Sequence, residues 1–122
     1  MKPPIRHNRP AVIQLPHEID AVNAENVAAR LLQAAYGADA VIVADMGKTT
    51  FCDSRGTQEL LKVHHWALAS RCELRFARPT VNVMRVWQLL GADQILTIYP
   101  TLAAARALSS RRVGDHAAPG TG

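Results

Sequence analysis

Ala40-Val41-Ile42-Val43-Ala44-Asp45-Met46 and Phe51-Cys52-Asp53-Ser54-Arg55-Gly56 are the two neighbouring segments that decide the fold of this chain. The first is a nearly all-apolar run, typical of a strand covered on both faces of a sheet. Apolar residues at helical spacing follow the second segment and predict a helix over residues 54–70. An acid, a hydroxyl and a glycine therefore lie where a buried strand is followed by a helix.

Four predicted strands alternate with four predicted helices along the chain. The strands are expected at residues 11–15, 40–46, 73–77 and 95–98. The helices are expected at residues 23–37, with Asn23 as the cap, and at 54–70, 80–90 and 102–108. This alternation predicts an α/β fold with a mainly parallel sheet of four strands, or five if the N-terminal arm adds an edge strand.

Two connections are expected to lack regular structure. Residues 17–20 are predicted to form a polar turn, and residues 47–53 a loop with Phe51 and Cys52 buried beneath it. The carboxyl ends of neighbouring parallel strands meet at one edge of a sheet. Asp20 and the segment before Ser54 are therefore predicted to share an edge, unless the acids near residue 20 only solvate a turn.

Composition and charge narrow the class of protein. The 122 residues, 48% hydrophobic and 20% charged, favour one globular domain. We expect this domain to span residues 11–108, between a disordered arm (1–10) and a disordered tail (109–122). The net charge of +4 lies in the two ends, which leaves the middle near neutral. Direct nucleic-acid binding is therefore disfavoured.

The compartment is inferred from the cysteines and the hydropathy. Cys52 and Cys72 are expected to be buried free thiols in a reducing compartment. No apolar run approaches the length of a membrane span, and no apolar segment of a secretory signal follows the N-terminal charges. These absences favour a cytoplasmic protein without a membrane partner.

Ser54 has two interpretations that the sequence leaves open. It can cap the following helix, which is the common role of serine at this place. It can also be a phosphorylation site, where the unpaired amides of the helix start and Arg55 favour a phosphate while Asp53 repels it. A serine nucleophile is disfavoured, because His64 and His65 would lie roughly 15 Å further along the helix.

No motif for a metal or cofactor emerges. Adjacent His64 and His65 face different sides of a helix and cannot chelate a metal together. Gly47-Lys48-Thr49 lacks the first glycine of a P-loop, since that position is Ile42. We therefore expect no metal, no cofactor and no enzymatic activity.

Several segments taken in order resemble the STAS domain of anti-sigma factor antagonists and sulfate-transporter tails. They are Ile19-Asp20, Val41-Ile42-Val43-Ala44-Asp45, Thr50-Phe51-Cys52-Asp53-Ser54-Arg55-Gly56, Glu73-Leu74-Arg75-Phe76 and Leu89-Leu90-Gly91-Ala92-Asp93-Gln94-Ile95-Leu96. The similarity covers about residues 11–108. It implies a single STAS-like domain, a small mixed sheet with about four helices packed mostly on one face.

The resemblance also implies a function. The protein would be an anti-sigma factor antagonist that binds an anti-sigma factor serine kinase, so releasing a sigma factor for transcription. Phosphorylation of Ser54 by that kinase would eject the antagonist, and a phosphatase would reset it. Asp20, Asp53, Ser54, Arg55 and Gly56 match the partner-binding and phosphorylation surface. The alternative is a non-phosphorylated STAS scaffold subunit of a transport or signalling assembly.

The chain departs from the family pattern at three positions. His17 replaces a glycine before the turn, Arg55 follows the serine where small residues are commoner, and Thr57 replaces an apolar residue. These departures bear on the identity of the partner more than on the fold, and Arg55 is positioned in sequence to anchor a phosphate.

Overall fold

A computed structural model describes residues 10–37 and 41–107. These described residues contain six strands: β1 (Ala11–Gln14), β2 (Glu18–Ile19), β3 (Val41–Asp45), β4 (Phe51–Cys52), β5 (Glu73–Ala77) and β6 (Thr97–Tyr99). Four helices accompany them: α1 (Ala24–Gly37), α2 (Ser54–Ala69), α3 (Val81–Leu90) and α4 (Leu102–Arg106), with a 3₁₀ turn at Ala92–Gln94. The α/β fold predicted from the sequence is confirmed.

The main sheet is parallel and has the order β1-β3-β5-β6. Each of its central strands, β3 and β5, consists of one half-buried residue followed by four buried ones. This pattern is that of strands covered on both faces. The buried strand predicted over residues 40–46 is therefore present as the interior strand Val41–Asp45.

A second, two-stranded sheet corrects the predicted turn and loop. β2 pairs in parallel with β4, with Ile19 opposite Cys52. Both strands have two residues, too few for an alternating pattern to be recognised in sequence. Alternation still decides their burial: Cys52 is fully buried, whereas Phe51 is 45% exposed. The prediction that Phe51 lies in the core is wrong, because its side chain points to the other side of the strand.

The helices divide unequally between the two faces of the main sheet. A large core packs residues of α1, α2 and α3 against one face, with Leu31, Leu60, Phe76 and Trp87 fully buried. A small core of Val43, Ala77, Tyr99 and Ala105 covers the other face under α4. The expected arrangement, helices mostly on one face, is therefore present.

Arg75 holds α4 against the sheet. Its side chain is 1% exposed, and its Nη1 donates to the carbonyl oxygens of Ala105 and Ala107 at 2.9 and 3.0 Å. Its guanidinium also lies 5.3 Å from the centre of the Tyr99 ring. A buried charge is tolerated only when it is paired and hydrogen-bonded, as this one is. Arg75 thus satisfies carbonyls at the end of a helix of only five residues.

Some boundaries differ from the predicted ones. The last strand is Thr97–Tyr99 and not 95–98, because Ala92–Gln94 form a 3₁₀ turn. The predicted arm and tail lie outside the described residues, apart from Pro10. In the described ranges, no helix combines the length and apolar character needed to cross a membrane.

Candidate functional site

The candidate site lies at the carboxyl ends of β2 and β4. In this parallel pair Ile19 is opposite Cys52, so the next residues, Asp20 and Asp53, leave the sheet side by side. The Asp53 amide donates to the Ile19 carbonyl at 3.1 Å, which continues the pairing by one step. The predicted shared edge of Asp20 and the segment before Ser54 is therefore present. We call Asp20, Asp53, Ser54 and Arg55 the rim.

Asp53, not Ser54, caps α2. Asp53 has extended backbone angles, and its Oδ1 accepts a hydrogen bond of 2.8 Å from the Gly56 amide. Its carbonyl oxygen accepts bonds from the Thr57 amide at 2.9 Å and the Thr57 hydroxyl at 2.8 Å. Of the two interpretations of Ser54 that the sequence left open, the one in which it caps the helix is wrong by one residue. A carboxylate at the positive end of the helix is the more favourable cap electrostatically.

Ser54 is the first residue of α2 and its side chain is exposed. The described part of the chain provides its hydroxyl with no hydrogen-bond partner, and no histidine contacts it. A group added to Ser54 would not bind the Gly56 amide, because the Asp53 carboxylate already accepts a hydrogen bond from it. It would project from the rim beside the Asp53 carboxylate.

Asp20 is held by reciprocal hydrogen bonds with Asn23. The Asp20 amide donates to Asn23 Oδ1 at 2.9 Å, and Asp20 Oδ1 accepts from the Asn23 amide at 3.4 Å and from the Val22 amide at 2.9 Å. Asn23 Nδ2 in turn donates to the Glu18 carbonyl at 2.8 Å. The Asn23 side chain thus points back toward β2 and stabilises the turn before α1. The rim acid Asp20 is therefore fixed in position.

Gly56 lies beneath the rim, where α2 approaches β2 closely. A Cβ atom at this position would lie 2.8 Å from both the carbonyl oxygen and Cγ2 of Ile19, and 3.2 Å from Cys52 Sγ. Gly56 is buried, so its contribution to any partner surface is to let the helix start sit against the strand. The family resemblance places Gly56 on the partner-binding surface but does not distinguish this packing role.

The surroundings of Thr57 explain how a polar residue is accommodated where the family pattern has an apolar one. It is fully buried, and its hydroxyl donates to the Asp53 carbonyl and lies 3.5 Å from Cys52 Sγ. Burial raises the pKa of the Cys52 thiol. The substitution is therefore accommodated inside α2 and does not alter the rim surface.

Arg55 connects the two helices next to the rim. Its Nη2 lies 3.2 Å from Glu25 Oε2 on α1, and its Nε lies 3.6 Å from Glu59 Oε2 on α2. Arg55 and Glu25 are 47% and 78% exposed, so this pair adds little to stability. A stronger anion placed nearby can therefore draw Arg55 away at low cost.

An ion pair that sequence analysis missed lies at the carboxyl end of the main sheet. Arg78 follows β5, and its Nε and Nη2 donate to the two Asp45 carboxylate oxygens at 2.9 and 3.0 Å. Arg78 holds the pKa of Asp45 below its usual range, with the Gly47 amide also donating to Asp45 at 3.0 Å. The sequence could have indicated this pair, because Asp45 ends one apolar strand, Arg78 follows the next, and parallel strands end at one edge of a sheet.

Comparisons with known proteins agree with this architecture. A model of the STAS domain family matches residues 2–105. The crystal structure of a candidate anti-sigma factor antagonist from Thermotoga maritima superposes with a TM-score of 0.65 at 19% sequence identity. The superposition covers 82% of this chain and 95% of that one, and shows a shared fold. The curated proteins contain no match to this sequence.

Proposed function

The chain belongs to the STAS domain family, and on that premise we propose that it is an anti-sigma factor antagonist controlled by phosphorylation of Ser54. Its partner would be an anti-sigma factor that is also a serine kinase. Binding through the rim would withdraw that factor from its sigma factor and so permit transcription. The chain would act in the cytoplasm as a substrate of the kinase, without catalytic activity or direct contact with DNA.

The observation that carries this proposal is the free hydroxyl of Ser54. Ser54 is exposed on the first turn of α2, and Asp53 performs the capping that a serine would otherwise perform. Removing or modifying the hydroxyl therefore leaves the local fold intact. A residue in this position is suited to modification by a partner's active site.

The charges around Ser54 support release by repulsion. Phosphorylation adds about −1.5 to −2 charges at neutral pH, and the modified residue would stand beside the carboxylates of Asp53 and Asp20. The Gly56 amide at the helix start already binds the Asp53 carboxylate, so this amide does not compensate the added anion. Leaving an unpaired charge inside an interface costs several kcal/mol, enough to weaken binding by orders of magnitude. A phosphatase would then restore the binding form.

The proposal is tested by capture of the partner on the immobilised protein. We expect Ser54→Ala to retain the anti-sigma factor and Ser54→Asp to lose it. Addition of ATP to the complex of the unaltered protein should release the protein, with one phosphate mapped to Ser54. Ser70→Ala and Ser70→Asp are matched controls, since Ser70 is exposed at the opposite end of α2.

Two results would contradict the proposal. One is equal retention of the partner by Ser54→Ala and Ser54→Asp. The other is an unmodified Ser54 after incubation of the captured complex with ATP. Retention by both variants with no phosphate would instead indicate the non-phosphorylated scaffold role in a transport or signalling assembly.

A further inference from the structure

Phe51 is an exposed aromatic residue two positions before the rim acid Asp53. It is 45% exposed, whereas the next residue, Cys52, is fully buried. The other phenylalanine of the chain, Phe76, lies in the core. A strand places alternate side chains on opposite faces, so the burial of Cys52 keeps Phe51 on the outer face. β4 therefore presents a large apolar side chain to the solvent beside the rim.

A second exposed apolar residue lies on the element next to β4. Val81 is the first residue of α3 and is 67% exposed. α3 packs against β4, and the Thr80 hydroxyl before it donates to the Thr49 carbonyl oxygen at 2.8 Å. Exposed apolar side chains scattered singly are normal on a protein surface, whereas a patch rimmed by polar residues marks an interaction site. With Val81 on the neighbouring element, Phe51 is not an isolated apolar residue.

Three carboxylates lie within two residues of Phe51 or of its partner in the parallel pair. Glu18 is directly opposite Phe51, and both residues are exposed. Asp20 and Asp53 come two residues later, and each uses Oδ1 to accept hydrogen bonds from backbone amides. In the described part of the chain no cationic side chain pairs with any of the three. This surface therefore combines an apolar centre with an uncompensated negative border.

We propose that Phe51 is the apolar anchor of the partner interface, and that the anti-sigma factor receives it in an apolar pocket bordered by lysine or arginine side chains. This inference rests on the proposed function and names the surface that its partner recognises. A few buried side chains, aromatic ones prominent among them, carry most of the affinity of an interface. The basic border meets Glu18 and Asp20, since complementary charges select the partner and its register.

The basic border and the phosphorylation switch involve different parts of this surface. Ser54 is three residues beyond Phe51, roughly 10 Å along the chain, and lies on α2 past the Asp53 carboxylate. Cations that meet Glu18 across β2 and β4 are therefore not placed to neutralise a phosphate on Ser54. Phe51 supplies affinity in the unmodified state, and the phosphate still repels.

The test measures the dissociation constant of the anti-sigma factor that is purified after capture on Ser54→Ala. Phe51→Ala should weaken binding about tenfold or more, and Phe51→Leu should recover part of the loss. Glu18→Gln should weaken binding less and reduce its dependence on salt concentration. Two matched controls should change nothing. Tyr36→Ala removes an exposed aromatic residue in the last turn of α1, and Asp93→Asn removes an acid beyond the end of α3.

Phosphorylation of Ser54 by the same factor provides a second measurement. Phe51 contributes to binding and not to phosphate transfer, so Phe51→Ala should raise the KM for the protein as substrate and leave kcat unchanged. Thermal unfolding of each variant establishes that it is folded. A loss of binding with an unaltered unfolding temperature then belongs to the interface and not to the fold.

Two results would overturn this inference while Ser54→Asp still loses the factor, which leaves the proposed function standing. One is a dissociation constant for Phe51→Ala equal to that of the unaltered protein. The other is a loss in Tyr36→Ala as large as the loss in Phe51→Ala. A Ser54→Ala protein that binds no anti-sigma factor contradicts both the proposed function and this inference. If Phe51→Ala fails to fold, the salt dependence of Glu18→Gln decides, and an unchanged dependence overturns the inference.

Discussion

Asp53 Oδ1 lies 2.8 Å from the backbone nitrogen of Gly56, and because this hydrogen bond caps α2, the Ser54 hydroxyl is not needed for capping. The two adjacent residues therefore divide two roles that a single serine could have combined. Asp53 stabilises the helix start, and Ser54 presents an unused hydroxyl to the solvent. Structural and regulatory demands on the rim can in this way be separated by mutation.

Asp53→Ala is expected to destabilise the protein by about 1 kcal/mol, the usual cost of losing an N-cap. Asp53→Asn should recover most of that loss, because asparagine accepts the same hydrogen bond. Ser54→Ala should change stability by only a few tenths of a kcal/mol. Urea unfolding followed by circular dichroism measures all three. A loss in Ser54→Ala as large as that in Asp53→Ala would contradict the assignment of the cap.

Gly56→Ala is expected to destabilise the protein by roughly 1–3 kcal/mol, as overpacking does. The added Cβ would lie 2.8 Å from the Ile19 carbonyl oxygen, so α2 must move away from β2. This cost opposes the gain of about 1 kcal/mol that alanine brings to an ordinary helix interior. Gln58→Ala, at an exposed position of the same helix, is the control for helix propensity. A more stable Gly56→Ala protein would refute the close approach.

The main sheet could be predicted from the sequence because its central strands are five residues long. β3 and β5 have four consecutive buried residues each, and Pro79 and Gly91 bound the helix that follows β5. β2 and β4 were not predicted, because a strand of two residues is too short to show the alternation of apolar and polar residues. Their pairing depends on the register of β1 with β3, which brings the segments after those strands together. Long-range pairing of this kind is invisible in local sequence.

The sequence predicts which residues of the candidate site lie near one another, but it does not predict their hydrogen bonds. Asp20 and Asp53 were placed at one edge by the general behaviour of parallel strands. The capping role belongs to Asp53 and not Ser54 because the pairing with β2 continues to the Asp53 amide and α2 begins directly after it, at Ser54. From the sequence alone, Arg75 is an ordinary charged residue in a predicted strand. Its burial follows from the carbonyls of α4, which are thirty residues away in sequence.

The Asp45–Arg78 pair predicts a pH dependence of stability. Because the folded pKa of Asp45 is below its unfolded value of 3.8, its contribution is complete above that value. It is lost as the pH falls through the folded pKa. Arg78→Gln should lower stability near neutral pH and reduce the loss between about pH 5 and pH 2. Urea unfolding across that range measures both. Arg85→Gln, exposed on α3, is the control.

His64 predicts a second pH dependence, at higher pH. Burial disfavours its charged form, so the unfolded chain binds a proton more readily than the folded one. Stability should therefore be full above the ordinary histidine value of about 6.5 and fall as the pH drops below it. His64→Gln should flatten this part of the curve, and His65→Gln should flatten it less, because the charge of His65 is the smaller of the two causes that lower the pKa of His64. Equal slopes in the two variants would contradict it.

Arg55 predicts a measurable property of phosphorylated Ser54. If the phosphate draws Arg55 away from Glu25 and Glu59, the guanidinium favours the dianion and lowers the second phosphate pKa from about 6. Asp53 acts in the opposite direction. We therefore expect Arg55→Ala to raise that pKa, and Glu25→Gln, which releases Arg55, to lower it. Titration of phosphoserine-54 protein by ³¹P NMR reads the pKa directly. An unchanged value in Arg55→Ala would mean that Arg55 stays with Glu25 and Glu59, and that the phosphate stands alone on the rim.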